Sequence, residues 1–388
     1  MKNKKNILLI SPFFYPEPIS TGKFNTKFAE GLIAHGHKVT VLCFHPFYPN
    51  WKVKSSAAQL KGVEIIRGGK KVSYTKKTIL RRLILEVSFA FFVLRKLGKY
   101  QKDKDIVIPV FPPSLAFYFI LPFLNKNIRK VGMVHDLQEV YSEGKVGIIN
   151  SIIRIFIHKI EKTCYQSCTK VLFLSAEMKS EAKRLYQLAE KKLEVQYPFI
   201  TLRNRVTNDL KSTFDLDKIN IVYSGALGEK QNPSALFDFF SYASQKIDNT
   251  VFHFFSEGET VRELERLNKN KSVIFHTLVE IDHLEELYSK STVQVIPQKE
   301  NTSKGSLPSK LPNLLAAGCK VLLITDGDSE IEKFFMSNNL DMVVTSWDRD
   351  VLTKKLNLLI HKEIDSERQK SVAIKNFTID EMIFKILR

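Results

Sequence analysis

Short apolar runs alternate with segments of helical periodicity along the first half of the chain. Asn6–Ile10 is an apolar run that ends at a Ser-Pro turn, which predicts a buried strand. Thr26–His35 carries its apolar residues at helical spacing, and His37–Phe44 then predicts the next strand. A strand, a helix and a second strand form a βαβ unit, which implies a parallel sheet. Further strands are predicted at Val63–Arg67, Ile106–Val110, Lys130–His135 and Lys170–Ser175.

The same alternation restarts after Leu193–Leu216, a stretch that has turn residues and little periodicity. Strands are predicted in the second half at Asn220–Tyr223, Val251–Phe255, Val273–His276, Thr292–Ile296 and Cys319–Ile324. Helices are predicted between and after them at Ser234–Gln245, Thr260–Asn268, Asp282–Ser289 and Ser309–Ala317. We therefore predict an α/β protein of two doubly wound domains with a cleft between them, residues 1–205 and residues 206–388.

Positive charge is concentrated in the first half of the chain. Residues 1–200 hold 34 Lys and Arg against 14 Asp and Glu, a net charge of +20, whereas residues 201–388 hold 25 against 27, a net charge of −2. A basic half indicates an anionic partner, which can be nucleic acid, a membrane or a substrate. Because the sequence has no helix-turn-helix, RNP-like or zinc-finger signature, we expect no nucleic-acid partner.

The cysteines and the apolar segments indicate the compartment. Four cysteines without a zinc-type spacing predict free thiols in a reducing cytoplasm. We see no signal peptide and no run of about 18 apolar residues that would span a membrane. Thr75–Tyr100 is nevertheless strongly apolar with basic flanks, and Ile152–Ile160 is similar. Each is either a helix lying in a membrane interface or a core helix with solvated ends.

Two strand ends in the first half carry candidate chemistry. Ser11–Lys23 is a long loop after the first strand, where Gly22 would let a phosphate or a sugar approach backbone N–H groups. His135 follows another strand, and its imidazole can hydrogen-bond a hydroxyl, while Asp136 and Glu139 add acceptors for sugar hydroxyls. A plain connecting loop and a structural histidine are the alternative interpretations.

Two further strand ends lie in the second half. Gly225 and Gly228 form a turn before a helix, so backbone amides can face a diphosphate, and Lys230 adds a positive charge. Ser309 and Lys310 are predicted at another helix N-terminus, where anions bind. The turn with Gly225 and Gly228 lacks the P-loop spacing of an ATP site, and the Ser11–Lys23 loop lacks the NAD fingerprint. The alternatives are a glycine turn with a solvated lysine and a capped core helix.

Taken in order, these motifs resemble family 4 of the retaining glycosyltransferases, which have the GT-B fold. The matching pieces are SPFFYPEP…TGK, AEGLIAHGHKVTVL, the His-Asp pair, YSGALGEKQ, FSEG and LPSKLPNLLAAG, within residues 7–345. The most similar branch adds N-acetylated deoxy-sugars such as N-acetyl-L-fucosamine to bacterial O-antigen or capsule units. The resemblance implies two Rossmann-like domains facing a central cleft, with a last helix able to pack back on the first domain.

The resemblance also implies roles for the candidate residues. The loop around Gly22 would close over the donor diphosphate, His135 and Asp136 would act near the donor sugar, and Lys230 would stabilise the leaving group. The implied donor-binding positions of the second domain are Gly225, Gly228, Glu229, Lys230, Glu257, Gly258, Ser309, Lys310, Leu311 and Asn313.

The same resemblance implies the partners. The donor would be a nucleotide sugar, UDP-linked as in most of that branch. We expect neither a metal nor another cofactor, because cations and backbone amides can neutralise the diphosphate. The acceptor would be a lipid-linked saccharide of the undecaprenyl type. The first domain would bind it at the anionic inner face of the bacterial plasma membrane, with the protein attached peripherally from the cytoplasm.

One departure from the family pattern leaves alternatives open. The family carries two glutamates eight positions apart beside the donor, and Gly305 and Asn313 occupy those positions here. Asn313 would have to replace one carboxylate in ribose recognition, and Gly305 cannot replace the other. A GT-B epimerase acting on a UDP-sugar and an inactive protein that binds membrane or nucleic acid are the alternatives. The sequence leaves the oligomeric state open.

Overall fold

The computed structural model describes residues 4–17, 19–48, 50–138, 148–202, 210, 212–302, 307–340 and 342–388. The chain divides into two compact domains. The N-terminal domain comprises Met1–Tyr197 and Ile379–Arg388, and the C-terminal domain comprises Pro198–Thr378. The division therefore lies before the predicted boundary at residue 205, and the end of the chain belongs to the N-terminal domain.

Seven strands in the described part of the N-terminal domain form one parallel sheet. They are β1 (Asn6–Ile10), β2 (Lys38–Phe44), β3 (Val63–Gly68), β4 (Ile106–Phe111), β5 (Arg129–Val134), β6 (Lys170–Phe173) and β7 (Leu193–Val195). Their order is β3-β2-β1-β4-β5-β6-β7, with every neighbouring pair parallel. The central strands are buried on both faces, as apolar runs without alternation predict. The strand order reverses between β1 and β4, where doubly wound sheets bind ligands.

Helices cover this sheet. They are α1 (Ser20–Ala34), α2 (Thr78–Tyr100), α3 (Ser114–Ile120), α4 (Ile148–Ser167) and α5 (Ala176–Tyr186). The start of α1 differs from the prediction, because the helix begins at Ser20 rather than at Thr26 and includes Gly22 and Lys23. None of the helices in the described ranges has both the length and the apolarity of a membrane-crossing segment.

A second parallel sheet forms the C-terminal domain. Its strands are β8 (Ile219–Ser224), β9 (Thr250–Phe255), β10 (Val273–His276), β11 (Val293–Pro297), β12 (Val321–Ile324) and β13 (Val343–Val344). They lie in the order β10-β9-β8-β11-β12-β13, so the order reverses between β8 and β11. The helices of this domain are α6 (Pro233–Ala243), α7 (Glu259–Leu267), α8 (Leu284–Lys290), α9 (Leu311–Ala316), α10 (Glu330–Ser337), α11 (Arg349–His361) and α12 (Ser366–Phe377).

The last helix, α13 (Ile379–Leu387), packs on the N-terminal domain. Lys385 donates through Nζ to the carbonyl oxygen of Val195 at 2.8 Å, and Arg129 donates to the carbonyl oxygen of Leu387 at 3.1 Å. The side chains of α13 that face the domain are fully or almost fully buried: Met382, Ile383 and Ile386. The helix therefore completes the core of the domain in which the chain begins.

Candidate active site

Buried polar groups fix the loop between β1 and α1. Asn25 of α1 donates through Nδ2 to Ser11 Oγ at 3.0 Å and to a carbonyl oxygen of the loop at 3.0 Å. Glu17 accepts the backbone N–H groups of Phe47 at 3.0 Å and Tyr48 at 2.7 Å. Burial raises the pKa of the Glu17 carboxyl, although the two N–H groups act in the opposite direction. The loop is thus held from both sides and forms a preformed wall at the carboxyl end of β1.

Gly22 lies in the first turn of α1 and packs against this loop. A Cβ atom at this position would lie 2.9 Å from the carbonyl oxygen of Glu17, so a larger residue would push the loop away. Gly22 is buried against protein atoms. Close packing against the loop therefore accounts for a glycine at position 22. The approach of a donor phosphate to Gly22 stays a prediction.

His135 follows β5 and has a buried imidazole. Its Nε2 lies 3.3 Å from Met133 Sδ, and its ring meets the ring of Phe24 edge to face at a centroid distance of 4.8 Å. Burial lowers the pKa of His135 to about 4, so the ring is neutral at physiological pH. Asp136 beside it is exposed, and Glu139 lies outside the described residues.

Glu161 of α4 holds the segment that follows His135. Its carboxylate accepts hydrogen bonds from Tyr165 OH at 2.8 Å, Tyr186 OH at 2.7 Å and the backbone N–H of Gln138 at 3.1 Å. Glu161 is fully buried. The sequence analysis missed this residue, because a glutamate within a helical pattern gives no signal of partners that lie far away in the chain.

The turn after β8 has the backbone that its glycines predict. Gly225 has a φ of 133°, which side chains other than hydrogen rarely allow, and its N–H donates to the carbonyl oxygen of Phe255 at 3.0 Å. Tyr223 OH donates to the carbonyl oxygen of Ala226 at 2.6 Å. The hydroxyl of Tyr223 therefore stabilises the turn by a hydrogen bond, a role that the sequence did not indicate.

Lys230 lies on the short 3-10 turn Glu229–Gln231 that follows, and its residue is exposed. Gly228 begins the turn and donates its N–H to Gln231 Oε1 at 3.0 Å. The carbonyl oxygen of Lys230 accepts the N–H of Lys299 at 2.8 Å, and Lys299 Nζ lies 3.1 Å from Glu229 Oε1. Residues after β8 and residues after β11 are thereby joined on one edge of the sheet.

The loop after β9 contains the predicted positions Glu257 and Gly258. Glu257 is exposed and accepts the N–H of Leu278 at 3.3 Å, and Gly258 has a φ of 126° just before α7. Ser256 is buried, and its Oγ has no hydrogen-bond partner within the described ranges. The loop thus places a buried hydroxyl and a glycine turn at the start of α7.

The side chain of Lys310 is not a solvent-exposed cation at a helix N-terminus. It is half-buried, its Nζ donates to the carbonyl oxygen of Val295 at 2.7 Å, and the ammonium lies 4.4 Å from the centroid of the Tyr223 ring. Burial lowers the pKa of Lys310 to about 7. The predicted helix Ser309–Ala317 begins only at Leu311, because Leu311 closes a turn onto Pro308 and Lys310 caps the helix.

Other predicted positions near α9 have structural contacts of their own. Asn313 accepts the N–H of Thr201 at 2.7 Å and donates to Thr201 Oγ1 at 2.9 Å, so both ends of its amide bond to one residue. Leu311 is fully buried, Ser309 is exposed, and Gly305 lies outside the described residues. The contact of Asn313 with a ribose stays a prediction.

In the C-terminal domain, Lys310 contacts β11 through Val295 and β8 through Tyr223. Lys230 follows β8, and its carbonyl oxygen bonds to Lys299, which follows β11. Cations, glycine turns and helix N-termini at a switch point suit an anionic ligand such as a diphosphate. In the N-terminal domain, the ring of His135 lies against Phe24 of α1. Within the described ranges, no group of three or more His, Cys, Asp or Glu side chains could hold a metal ion.

Comparison with known proteins agrees with this geometry. Residues 22–204 match the model of Glycosyltransferase Family 4. Over 360 residues the chain is 26% identical to the putative colanic acid biosynthesis glycosyl transferase WcaI of Escherichia coli K12, with 84% of each chain covered.

Solved structures share the fold over almost the whole chain. Sucrose-phosphate synthase from Thermosynechococcus elongatus matches with a TM-score of 0.70 at 14% identity, covering 99% of this chain and 97% of that one. HepE from Anabaena, solved in complex with UDP, matches with a TM-score of 0.63 at 11% identity, covering 99% of each chain. The fold is therefore GT-B, as the sequence motifs predicted.

Proposed function

We propose that this chain, a family 4 glycosyltransferase of the GT-B fold, moves a sugar from a UDP-sugar to a lipid-linked saccharide in the synthesis of a bacterial surface polysaccharide. The observation that carries the proposal is that Lys230 and the turn with Gly225 and Gly228 follow β8, and that Lys310 contacts both β8 and β11. The likeness to a protein solved with UDP supports the nucleotide, and the likeness to WcaI supports the pathway class.

The proposed reaction exchanges one glycosidic bond for another. The bond between the anomeric carbon and the diphosphate oxygen breaks, and an acceptor hydroxyl oxygen bonds to that carbon with retention of configuration. The hydroxyl proton leaves with UDP or passes to solvent. Lys230 stabilises the negative charge that develops on the departing diphosphate.

Groups of the N-terminal domain act on the sugars in this proposal. His135 is neutral because burial lowers its pKa to about 4, so it hydrogen-bonds a hydroxyl without adding charge beside the reacting centre. The neighbouring carboxylate of Asp136 is exposed and offers acceptor oxygens. Both ends of the Asn313 amide bond to Thr201, so recognition of a ribose by Asn313 would require these bonds to exchange. The loop with Ser256 and Glu257 is a second candidate for ribose recognition in this proposal.

The test is a transfer assay with a panel of UDP-sugars and undecaprenyl-diphosphate-linked saccharides, read by mass spectrometry. We expect one donor to lengthen the acceptor by one sugar and to release UDP in equal amount. The variants His135→Ala and Lys230→Ala should each lower kcat/KM by about 100-fold or more while the protein stays folded. Transfer from GDP-sugars alone would overturn the UDP assignment, and an epimer formed from donor without acceptor would identify an epimerase.

A further inference from the structure

A group of four aromatic rings lies beside the loop that follows β1. Phe13 of that loop packs against Phe47 with ring centroids 5.3 Å apart. Phe47 contacts Trp51 at 5.3 Å and Tyr74 at 5.0 Å, and Trp51 meets Tyr74 edge to face at 5.3 Å. We call these four residues the aromatic cluster. Phe13 and Phe47 each come shortly after the end of a strand, β1 or β2, so the cluster lies at the edge of the sheet where doubly wound folds bind ligands.

The backbone of Trp51 has an unusual conformation. Its φ is 55°, in the left-handed region that a bulky side chain rarely adopts, because Cβ comes too close to the backbone there. The indole ring is held by its contacts with Phe47 and Tyr74. Backbone strain of this kind persists where the surrounding structure imposes it, and it clusters at binding and active sites. The position of the Trp51 ring therefore indicates a functional constraint on this loop.

Arg81 of α2 stacks on the indole ring of Trp51, with its guanidinium carbon 4.2 Å from the ring centroid. The residue is half-buried. The next residue, Arg82, donates to the carboxylate of Glu86 at 3.3 Å. For Arg81, by contrast, the residues that the structure describes provide neither a hydrogen-bond acceptor nor a carboxylate at the guanidinium. A planar fork of five N–H donors is therefore placed where an anion from outside the chain can bind it.

The surroundings of the aromatic cluster are strongly basic. Residues 45–85 hold ten Lys and Arg against a single acidic residue, Glu64. Glu64 lies near the start of β3, at the other end of the sheet, and accepts Thr40 Oγ1 at 2.9 Å. Glu17 is buried, and its oxygens already accept two backbone N–H groups. The exposed lysines of this segment attract anions toward Arg81: Lys52, Lys54, Lys70, Lys71, Lys76 and Lys77.

We propose that Arg81 and the aromatic cluster bind an acidic sugar of the acceptor saccharide, a pyranose that carries a carboxylate. The planar fork of Arg81 matches a carboxylate through two parallel hydrogen bonds. The apolar face of the pyranose packs on the aromatic surface beside it, where Tyr48 is exposed by 40%. An inorganic anion would use the cation alone and leave the aromatic surface without a role. The inference rests on the proposed glycosyl transfer, for which it names the class of acceptor.

The test compares two soluble probes that differ in one group. The compound para-nitrophenyl β-glucuronide carries a carboxylate where para-nitrophenyl β-glucoside carries a hydroxymethyl group. We expect the full-length chain, without donor, to bind the glucuronide about 10-fold more tightly in isothermal titration calorimetry, because a charged hydrogen-bonded pair contributes at least that factor. Arg81→Gln should bind both probes equally. Arg81→Lys should recover only part of the preference, because an ammonium lacks the planar fork.

The matched control is Arg95→Gln. Arg95 is an exposed arginine of the same helix, and its guanidinium lies 5.2 Å from the ring centroid of Phe91. This variant should keep the wild-type preference for the glucuronide. The melting temperature of each variant shows whether it is folded, and Arg81→Lys retains a cation over Trp51 if Arg81→Gln proves unstable.

Three results would overturn the proposal: equal affinity of the wild type for the two probes, absence of binding of both, or a preference that folded Arg81→Gln retains. Inorganic diphosphate is a third probe. If it bound through Arg81 while the two glycosides bound alike, the recognised group would be a diphosphate and the acidic sugar would be wrong.

A transfer assay separates this inference from the proposed function. Transfer to an acidic saccharide with a higher kcat/KM than to its neutral counterpart, lost in Arg81→Gln, is the expected result. Transfer to both acceptors with equal kcat/KM would leave glycosyl transfer from the UDP-sugar intact and would overturn the acidic acceptor alone.

Discussion

Lys310 is a half-buried residue whose side chain contacts β8 and β11, the two central strands of the C-terminal sheet. Its Nζ bonds to the carbonyl oxygen of Val295 at 2.7 Å and lies over the Tyr223 ring, and no carboxylate is among these contacts. Burial therefore lowers its pKa to about 7, which makes it a group that can titrate near physiological pH. A diphosphate close to this ammonium would favour its charged form.

We expect the C-terminal domain to become more stable as the pH rises from 7 to about 10. The pKa of Lys310 is about 7 in the folded chain and lies near the ordinary lysine value of about 10.4 in the unfolded chain, so between these values the unfolded chain binds more protons. Below pH 7 both states are protonated and this contribution has no slope. Urea unfolding at pH 7, 8 and 9 measures it.

The variants Lys310→Met and Lys271→Met separate this contribution from others. Lys271 is exposed at the amino end of β10, so its replacement should keep the wild-type dependence on pH. Lys310→Met should remove most of the slope. If Lys310→Met kept the full slope, the pH dependence would come from other groups and the lowered pKa of Lys310 would be wrong.

At the residue scale, the position of a residue could be predicted where it depends on neighbours that are close in the sequence. His135 and Gly225 follow apolar strands directly, so their place at a sheet edge could be predicted. Glu17 and Glu161 could not, because their partners lie at distant positions such as Phe47 and Tyr186. Lys310 was predicted at a helix end, but its burial depends on Tyr223, which only the folded sheet brings near.

At the scale of elements, α4 couples the layer of helices to the loop with the candidate catalytic histidine. Glu161 bonds to Tyr165 and Tyr186 and to the N–H of Gln138, three residues after His135. Its variant Glu161→Gln would turn an N–H group toward at least one of these donors. We expect a loss of about 2–3 kcal/mol in the free energy of unfolding, the usual cost of removing a charged hydrogen-bond acceptor from a buried site.

Thermal unfolding of Glu161→Gln beside Glu30→Gln measures this effect. Glu30 is an exposed carboxylate on α1 that lies 3.9 Å from Lys27, and a surface pair of this kind contributes less than about 1 kcal/mol. The melting temperature should therefore fall by several degrees for Glu161→Gln and stay near wild type for Glu30→Gln. Equal melting temperatures for the two variants would show that the network carries no stability.

Most helices and strands could be predicted from the sequence. The residues at which they begin, and whether a helix has an exposed apolar face, could not. The helical spacing predicts a start of α1 at Thr26, because Ser20 to Lys23 lack apolar residues at helical spacing. The helix begins at Ser20, and its first turn packs against Glu17 through Gly22. For α2 the sequence left open a core helix or a membrane-interface helix. In the structure one face is core and another is exposed, a combination that composition alone cannot resolve.

At the scale of the whole molecule, the alternation of strands and helices predicted two parallel sheets, because each βα unit needs a parallel neighbour. The place of the chain's end could not be predicted from that alternation. An apolar helix can pack into any apolar groove of suitable shape, so its sequence does not identify the groove. The structure shows that Met382, Ile383 and Ile386 complete the core of the N-terminal domain.

We expect removal of Ile379–Arg388 to unfold the N-terminal domain. Three buried aliphatic side chains contribute about 5–9 kcal/mol, which is as large as the stability of many whole domains at about 5–15 kcal/mol. Circular dichroism and solubility of a chain that ends at Thr378 measure the loss, and removal of Arg388 alone is the control. A truncated chain that melts at the wild-type temperature would show that α13 is dispensable for the domain.

The most direct test of the proposed function is a thermal-shift titration of wild type, Lys230→Ala and Lys271→Ala with UDP, GDP, dTDP, CMP, ADP and NAD. We expect UDP to stabilise the wild type, by about 2.7 kcal/mol at 100 times its Kd, and Lys271→Ala to respond in the same way. Lys230→Ala should need at least about tenfold more UDP, since it loses one cation from the diphosphate. No response to any nucleotide, or an unchanged UDP response in Lys230→Ala, would contradict the assignment of this domain as the site of the UDP-sugar.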